Sequence, residues 1–89
     1  MKLKKSEARI IIYLRNARPE NTFGNAISIK LDMDYAHCRN ILSRMVEKEW
    51  VVKVLNTNLN KTFYTLVPGK APVRQSRTLL SGIVEEEEE

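Results

Sequence analysis

His37 and Cys38 are the one histidine and the one cysteine of the chain, so metal or thiol chemistry would have to run through them. They are neighbours on a segment with helical periodicity, where successive side chains diverge by roughly 100° and cannot meet at one metal ion. A zinc site built mainly from Asp or Glu would be atypical. Cys38 falls on the apolar stripe of that helix, and burial there raises a thiol pKa and leaves the group inert. Ser6, Ser28, Ser43, Ser76 and Ser81 share a single histidine and show no spacing that suggests a triad. The three glycines are scattered, which excludes a glycine-rich phosphate loop. Neither an enzyme nor a bound metal or cofactor is expected. What remains is a binding surface: in DYAHCRNILSRMVEKEW, Tyr35, Arg39, Asn40, Ser43 and Arg44 lie largely off the face made by Cys38, Ile41, Leu42, Met45 and Val46, which recur at i, i+3, i+4, i+7 and i+8. A helix with a polar, basic face beside a hairpin is how small domains read duplex DNA.

Charge agrees with that expectation. The net charge of +4 conceals a split, because residues 85–89 are all glutamate and residues 1–84 hold fifteen bases against six acids. A basic body attracts a polyanion, and an acidic tail can compete for the same surface or hold a basic partner. At 89 residues the chain is expected to be one domain with a single small core. One cysteine rules out an internal disulfide, and no apolar run has the length of a signal peptide or a membrane span. A cytoplasmic, reducing location is the default.

The elements that must position the surface follow from periodicity and punctuation. Ser6 is placed to cap a first helix through EARIIIYLRNA, with Ala8, Ile10, Ile11, Leu14 and Ala17 inward. Arg18-Pro19-Glu20-Asn21 breaks it. Thr22 is the expected cap of a second helix, whose inward positions are Phe23, Ala26, Ile27 and Leu31. Residues 30–33 make a tight connection, and Asp34 can accept the free N–H groups opening a third helix that ends near Glu49. Trp50 is expected as a core anchor between helix and sheet. VVKVL and KTFYTLV alternate with period two around the turn-tolerant NTNLN, which makes a hairpin closed by Pro68-Gly69. Residues 68–84 form either an ordered extension or a tail. Leu79, Leu80, Ile83 and Val84, flanked by Arg74 and Arg77, supply one or two amphipathic turns too short to stand alone. The expected layout is an α+β domain over residues 1–67, a basic and apolar extension over 68–84, and an acidic tail over 85–89.

The order helix, helix, turn, helix, strand, wing, strand resembles the winged helix-turn-helix superfamily, particularly its MarR-like and archaeal-type members. DMDYAHCRNILSRMVEKEWVVKV is similar to that family's capping residue, groove-facing residues and apolar stripe ending in E-K-G-L-V, and FYTLVPGK is similar to its Y-x-L-T-x-x-G ending. Glu49 stands where the family prefers glycine, Trp50 replaces the usual leucine, and Asp32 occupies another common glycine position. The resemblance implies a recognition helix in the major groove, with Tyr35, His37, Arg39 and Asn40 at base edges and Ser43 and Arg44 at phosphate. In the wing it implies contacts by Asn56, Asn58, Asn60 and Lys61 to backbone or minor groove. The implied function is a transcription regulator of duplex DNA, with a homodimer or protein contact through the first helix or residues 70–84. Two alternatives stand beside it: a protein-docking accessory subunit of a polymerase or other replication or transcription complex, and non-specific DNA coating.

Overall fold

The amide of Lys4 opens the first helix differently from the expected serine cap. In the computed structural model, which describes residues 3–81, α1 spans Lys5–Asn16, and the Lys4 N–H donates to Glu7 Oε1 at 3.0 Å. An acid three residues into a helix can satisfy the orphan amide in this way, so Ser6 is not needed as a cap. A 3-10 turn, Pro19–Asn21, follows the break, then α2 (Gly24–Leu31), α3 (Tyr35–Glu47), the strands β1 (Val51–Asn56) and β2 (Lys61–Leu66), and α4 (Val73–Ser81). The architecture is the winged helix-turn-helix expected from the sequence, with a fourth helix added among the described residues.

Thr22 does not cap α2. Phe23 takes that position with no side-chain bond, while Thr22 is buried and its hydroxyl donates to the Pro19 carbonyl at 2.8 Å. The backbone here serves the sheet instead: the Tyr64 N–H donates to the Thr22 carbonyl at 3.0 Å, and Phe23 forms an antiparallel bridge to Phe63. The two-stranded hairpin is therefore tied to the start of α2 by a single bridge on its β2 side. β1 and β2 pair in register from Val51↔Leu66 to Asn56↔Lys61. Only the root of the hairpin is buried, at Val51 and Tyr64; Val52, Val54 and Leu55 are 48–60% exposed. The ribbon projects into solvent rather than lying on the core.

The core joins Ile10, Ile11 and Leu14 of α1, Ile27 of α2, Cys38, Ile41, Leu42 and Met45 of α3, and Trp50, Val51 and Tyr64 of the sheet. Trp50 is 7% exposed, as an anchor at the helix–sheet junction should be. Ala17 is only half-buried. α3 stops at Glu47, two residues short of the expected end, and Glu49 takes φ 65 after it. The left-handed turn that usually falls to glycine is made here by a glutamate, whose Oε1 accepts from Lys70 Nζ. That ammonium holds the Glu49 carboxyl below the usual carboxylate range.

Residues 73–81 are helical because of what they pack on. α4 lies against α1, with Ser76 fully buried and its hydroxyl donating to the Pro72 carbonyl at 2.7 Å. A small residue allows close approach of the helices, and its polar atom is satisfied within its own helix. Ile83, Val84 and the glutamates at 85–89 lie outside the described residues.

One acid is buried where α1 meets the end of α3. Glu7 is 3% exposed, and its Oε2 pairs at 2.9 Å with Lys48 Nζ just past α3. Lys48 Nζ also sits 4.4 Å from the Trp50 ring centroid. Removing the cation leaves a buried carboxylate with only the Lys4 amide. Lys48→Met is expected to cost about 1–3 kcal/mol in urea unfolding, since an uncompensated buried charge is dearer than the intact pair is favourable. Lys48→Arg is expected to restore much of it, and equal stability of the Met variant would contradict the pairing.

Candidate nucleic-acid interface

The recognition candidate is held at its start by two local devices. Asp34 Oδ2 accepts the His37 N–H at 3.1 Å, the expected N-cap. Before it, Asp32 adopts φ 56, and the Met33 N–H returns to the Ser28 carbonyl at 2.9 Å. A short-chain acid tolerates the left-handed region better than most residues, so the turn closes without glycine. Together these fix the angle between α2 and α3.

Tyr35, His37, Arg39, Asn40, Ser43 and Arg44 are all exposed. With Cys38, Ile41, Leu42 and Met45 buried, helical geometry sets Ala36, Asn40 and Ser43 along the centre of the outer face. Arg39 and Tyr35 flank it on one side, and Arg44 and His37 on the other. Ala36 is exposed at the first turn, where its small side chain would let a groove edge approach. Glu47 is exposed on the same row one turn beyond Ser43; its charge repels phosphate and marks the end of the usable surface. Among the described residues, Asn40, Ser43 and Arg44 have no side-chain ion pair or hydrogen bond.

Tyr35 is more constrained. Its ring edge lies beside Gly24, where an added Cβ would sit 3.5 Å from Tyr35 Cε1, and the Arg39 guanidinium carbon is 5.9 Å from its ring centroid. It therefore packs on the start of α2 and still leaves 48% of its surface open. Arg39 also connects the helix to the hairpin. Burial raises the pKa of the Tyr64 phenol, and the positive charge of Arg39 opposes that rise. Burial likewise pushes the Cys38 thiol up, which keeps it protonated and unreactive at neutral pH.

In the wing, Asn58 and Lys61 are exposed, but they are not equivalent. Lys61 Nζ rests 4.0 Å from the Phe23 ring centroid, drawn back from the tip, while Asn56 is half-buried and its Oδ1 accepts the Leu59 N–H at 3.0 Å. Lys53, not among the residues expected from sequence, is an exposed cation paired across the sheet with Tyr64 and so on the inward side of the hairpin. The period-two rule places it once Tyr64 is known to be inward. Among the described residues no group of three or more His, Cys, Asp or Glu side chains could hold a metal, and no helix is long and apolar enough to cross a membrane.

A tri-helical base whose third helix presents a polar outer face, with a flanking ribbon, defines a winged helix-turn-helix fold. Solved proteins share that fold. MepR, a transcription regulator of the Staphylococcus aureus multidrug efflux pump MepA, superposes with a TM-score of 0.73 at 12% identity, covering 92% of this chain and 60% of that one. The S. aureus MepR–DNA complex superposes with a TM-score of 0.76 at 12% identity, over 91% and 59%. A variant of Lactococcus lactis ZitR gives 0.68 at 21% identity, over 89% and 53%. The chain thus spans little more than half the length of these proteins and shares their fold. No protein-family model and no curated protein sequence matches it.

Proposed function

We propose that the chain is a DNA-binding transcription regulator, with α3 in the major groove and the hairpin as wing. The observation that carries this reading is the unobstructed outer face of α3, where Arg39, Asn40, Ser43 and Arg44 stand exposed on a braced helix-turn-helix. A neighbour of the same fold is solved in complex with DNA, which supports it. Arg and Asn make bidentate pairs with guanine and adenine, so Arg39 and Asn40 are assigned to base edges with Tyr35 and His37 beside them; Ser43 and Arg44 are assigned to phosphate, and Asn58 and Lys61 of the wing to the backbone or the minor groove. Arg39→Ala is expected to weaken binding to a selected duplex roughly 5- to 100-fold and to relax discrimination between related sites. Anisotropy titration on the selected and on random duplexes checks this. A uniform loss on every sequence would make Arg39 a phosphate contact, and absence of binding by the unmodified chain at low salt would overturn the reading.

Among the described residues of the 70–84 segment, a self-contact would have to use what α1 leaves open. α4 packs on α1, and its exposed side chains include Arg74, Gln75 and Arg77, a polar face unlike a dimer core. The accessory-subunit alternative finds no support among the neighbours and is not carried further.

A further inference from the structure

The tip of the hairpin carries a large apolar side chain. Leu59 is 58% exposed, beyond the last cross-strand pair Asn56↔Lys61. Two features fix the backbone around it: its N–H is held by Asn56 Oδ1 at 3.0 Å, and Asn60, at φ 54, turns the chain back into β2. A single exposed leucine is ordinary on a protein surface, but this one has a particular setting. Exposed amides flank it at Asn58 and Asn60, and the nearest cation, Lys61, is drawn back over the Phe23 ring at 4.0 Å. Residues 57–60 thus carry no charge and offer amide donors and acceptors around an apolar point.

That combination fits one nucleic-acid feature closely. Amide side chains hydrogen-bond to the acceptors that A·T pairs present in the minor groove, and apolar side chains entering that groove wedge between base pairs and bend the duplex. Pyrimidine–purine steps unstack most readily. We propose that Leu59 is a wedge that enters the minor groove of an A·T-rich duplex and partly unstacks a pyrimidine–purine step, with Asn58 and Asn60 bonding to the groove floor on either side. This rests on the DNA-binding reading above and adds a second source of sequence preference, the deformability of a step that α3 does not touch.

The test uses the full chain and a short A·T-rich duplex carrying 2-aminopurine at TA steps and a fluorophore pair at its ends. Saturation with unmodified protein is expected to raise 2-aminopurine emission and shorten the end-to-end distance. Leu59→Ala is expected to abolish both signals and weaken binding roughly tenfold, with the salt dependence unchanged because no charge is lost. Leu59→Met is expected to keep both. Bound unmodified protein without a rise in emission, or a Leu59→Ala variant with the full signal, overturns the wedge and leaves the DNA reading standing. Failure of the unmodified chain to bind any duplex removes both.

Discussion

Raising monovalent salt about fourfold is expected to lower the affinity of the full chain for random duplex DNA by roughly 100-fold. The magnitude comes from the cations that the structure leaves facing outward around the candidate interface: Arg39 and Arg44 on α3, Lys53 and Lys61 on the hairpin, all exposed. Each phosphate neutralised releases condensed counterions and contributes about −0.9 to the slope of log affinity against log salt; on random duplex, where Arg39 has no preferred base and meets phosphate like the other three, four contacts give a slope near −3.6. Glu47, exposed at the end of the same face, keeps that number from growing along the helix. Arg44→Ala is expected to flatten the slope by about one. Arg39→Ala, if Arg39 reads a base, changes sequence preference as well. Fluorescence anisotropy over a salt series separates these outcomes. A flat salt dependence would mean that the exposed cations do not meet phosphate, and the interface would have to be sought elsewhere.

The parts of the fold that the sequence declared are those in which one local rule suffices. The apolar spacing of Cys38, Ile41, Leu42 and Met45 fixed which side of α3 is inward, and Asp34 marked its start; both agree with the burial and the His37 hydrogen bond. Trp50 as anchor also followed from side-chain size, and Asp32 as the turn residue from the resemblance, which puts a common glycine position there, with an acid that tolerates the left-handed region. The misplacements arose where distant segments compete for one residue. Thr22 has the chemistry of a cap, but Tyr64 claims its carbonyl for the sheet, and the helix starts one residue later. Ser6 lost its role to Glu7, whose carboxylate is fixed by Lys48 from forty-one positions away. α4 has a single apolar edge and too few turns to form alone; its helicity depends on α1 offering a surface that no local pattern announces. Among the candidate residues, the exposed face of α3 was readable from periodicity, whereas singling out Lys53 and Leu59 required knowing which face of the hairpin is inward and how its turn is pinned.

Leu42→Ala is expected to cost about 2–5 kcal/mol, because removing a fully buried branched side chain forfeits its transfer free energy and leaves a cavity that a packed core only partly fills. Leu42 is 0% exposed, between Ile41 at 3% and Met45 at 0% on the same stripe. Domains of this size have total stabilities of about 5–15 kcal/mol, so one such cavity removes a large share. At about 4–8 °C per kcal/mol for a domain this small, the melting temperature is expected to fall by roughly 10–30 °C. The denaturation midpoint should drop with an unchanged slope. The contrast with Arg39→Ala is what makes the measurement informative. Arg39 is exposed and is expected to leave melting within about 0.5 kcal/mol while changing DNA affinity, whereas Leu42→Ala should bind normally wherever it remains folded. One helix would then carry two separable functions on opposite faces, support inward and recognition outward. A Leu42→Ala protein that melts like the parent would place α3 in another rotation about its axis, and the surface assigned to DNA would rotate with it.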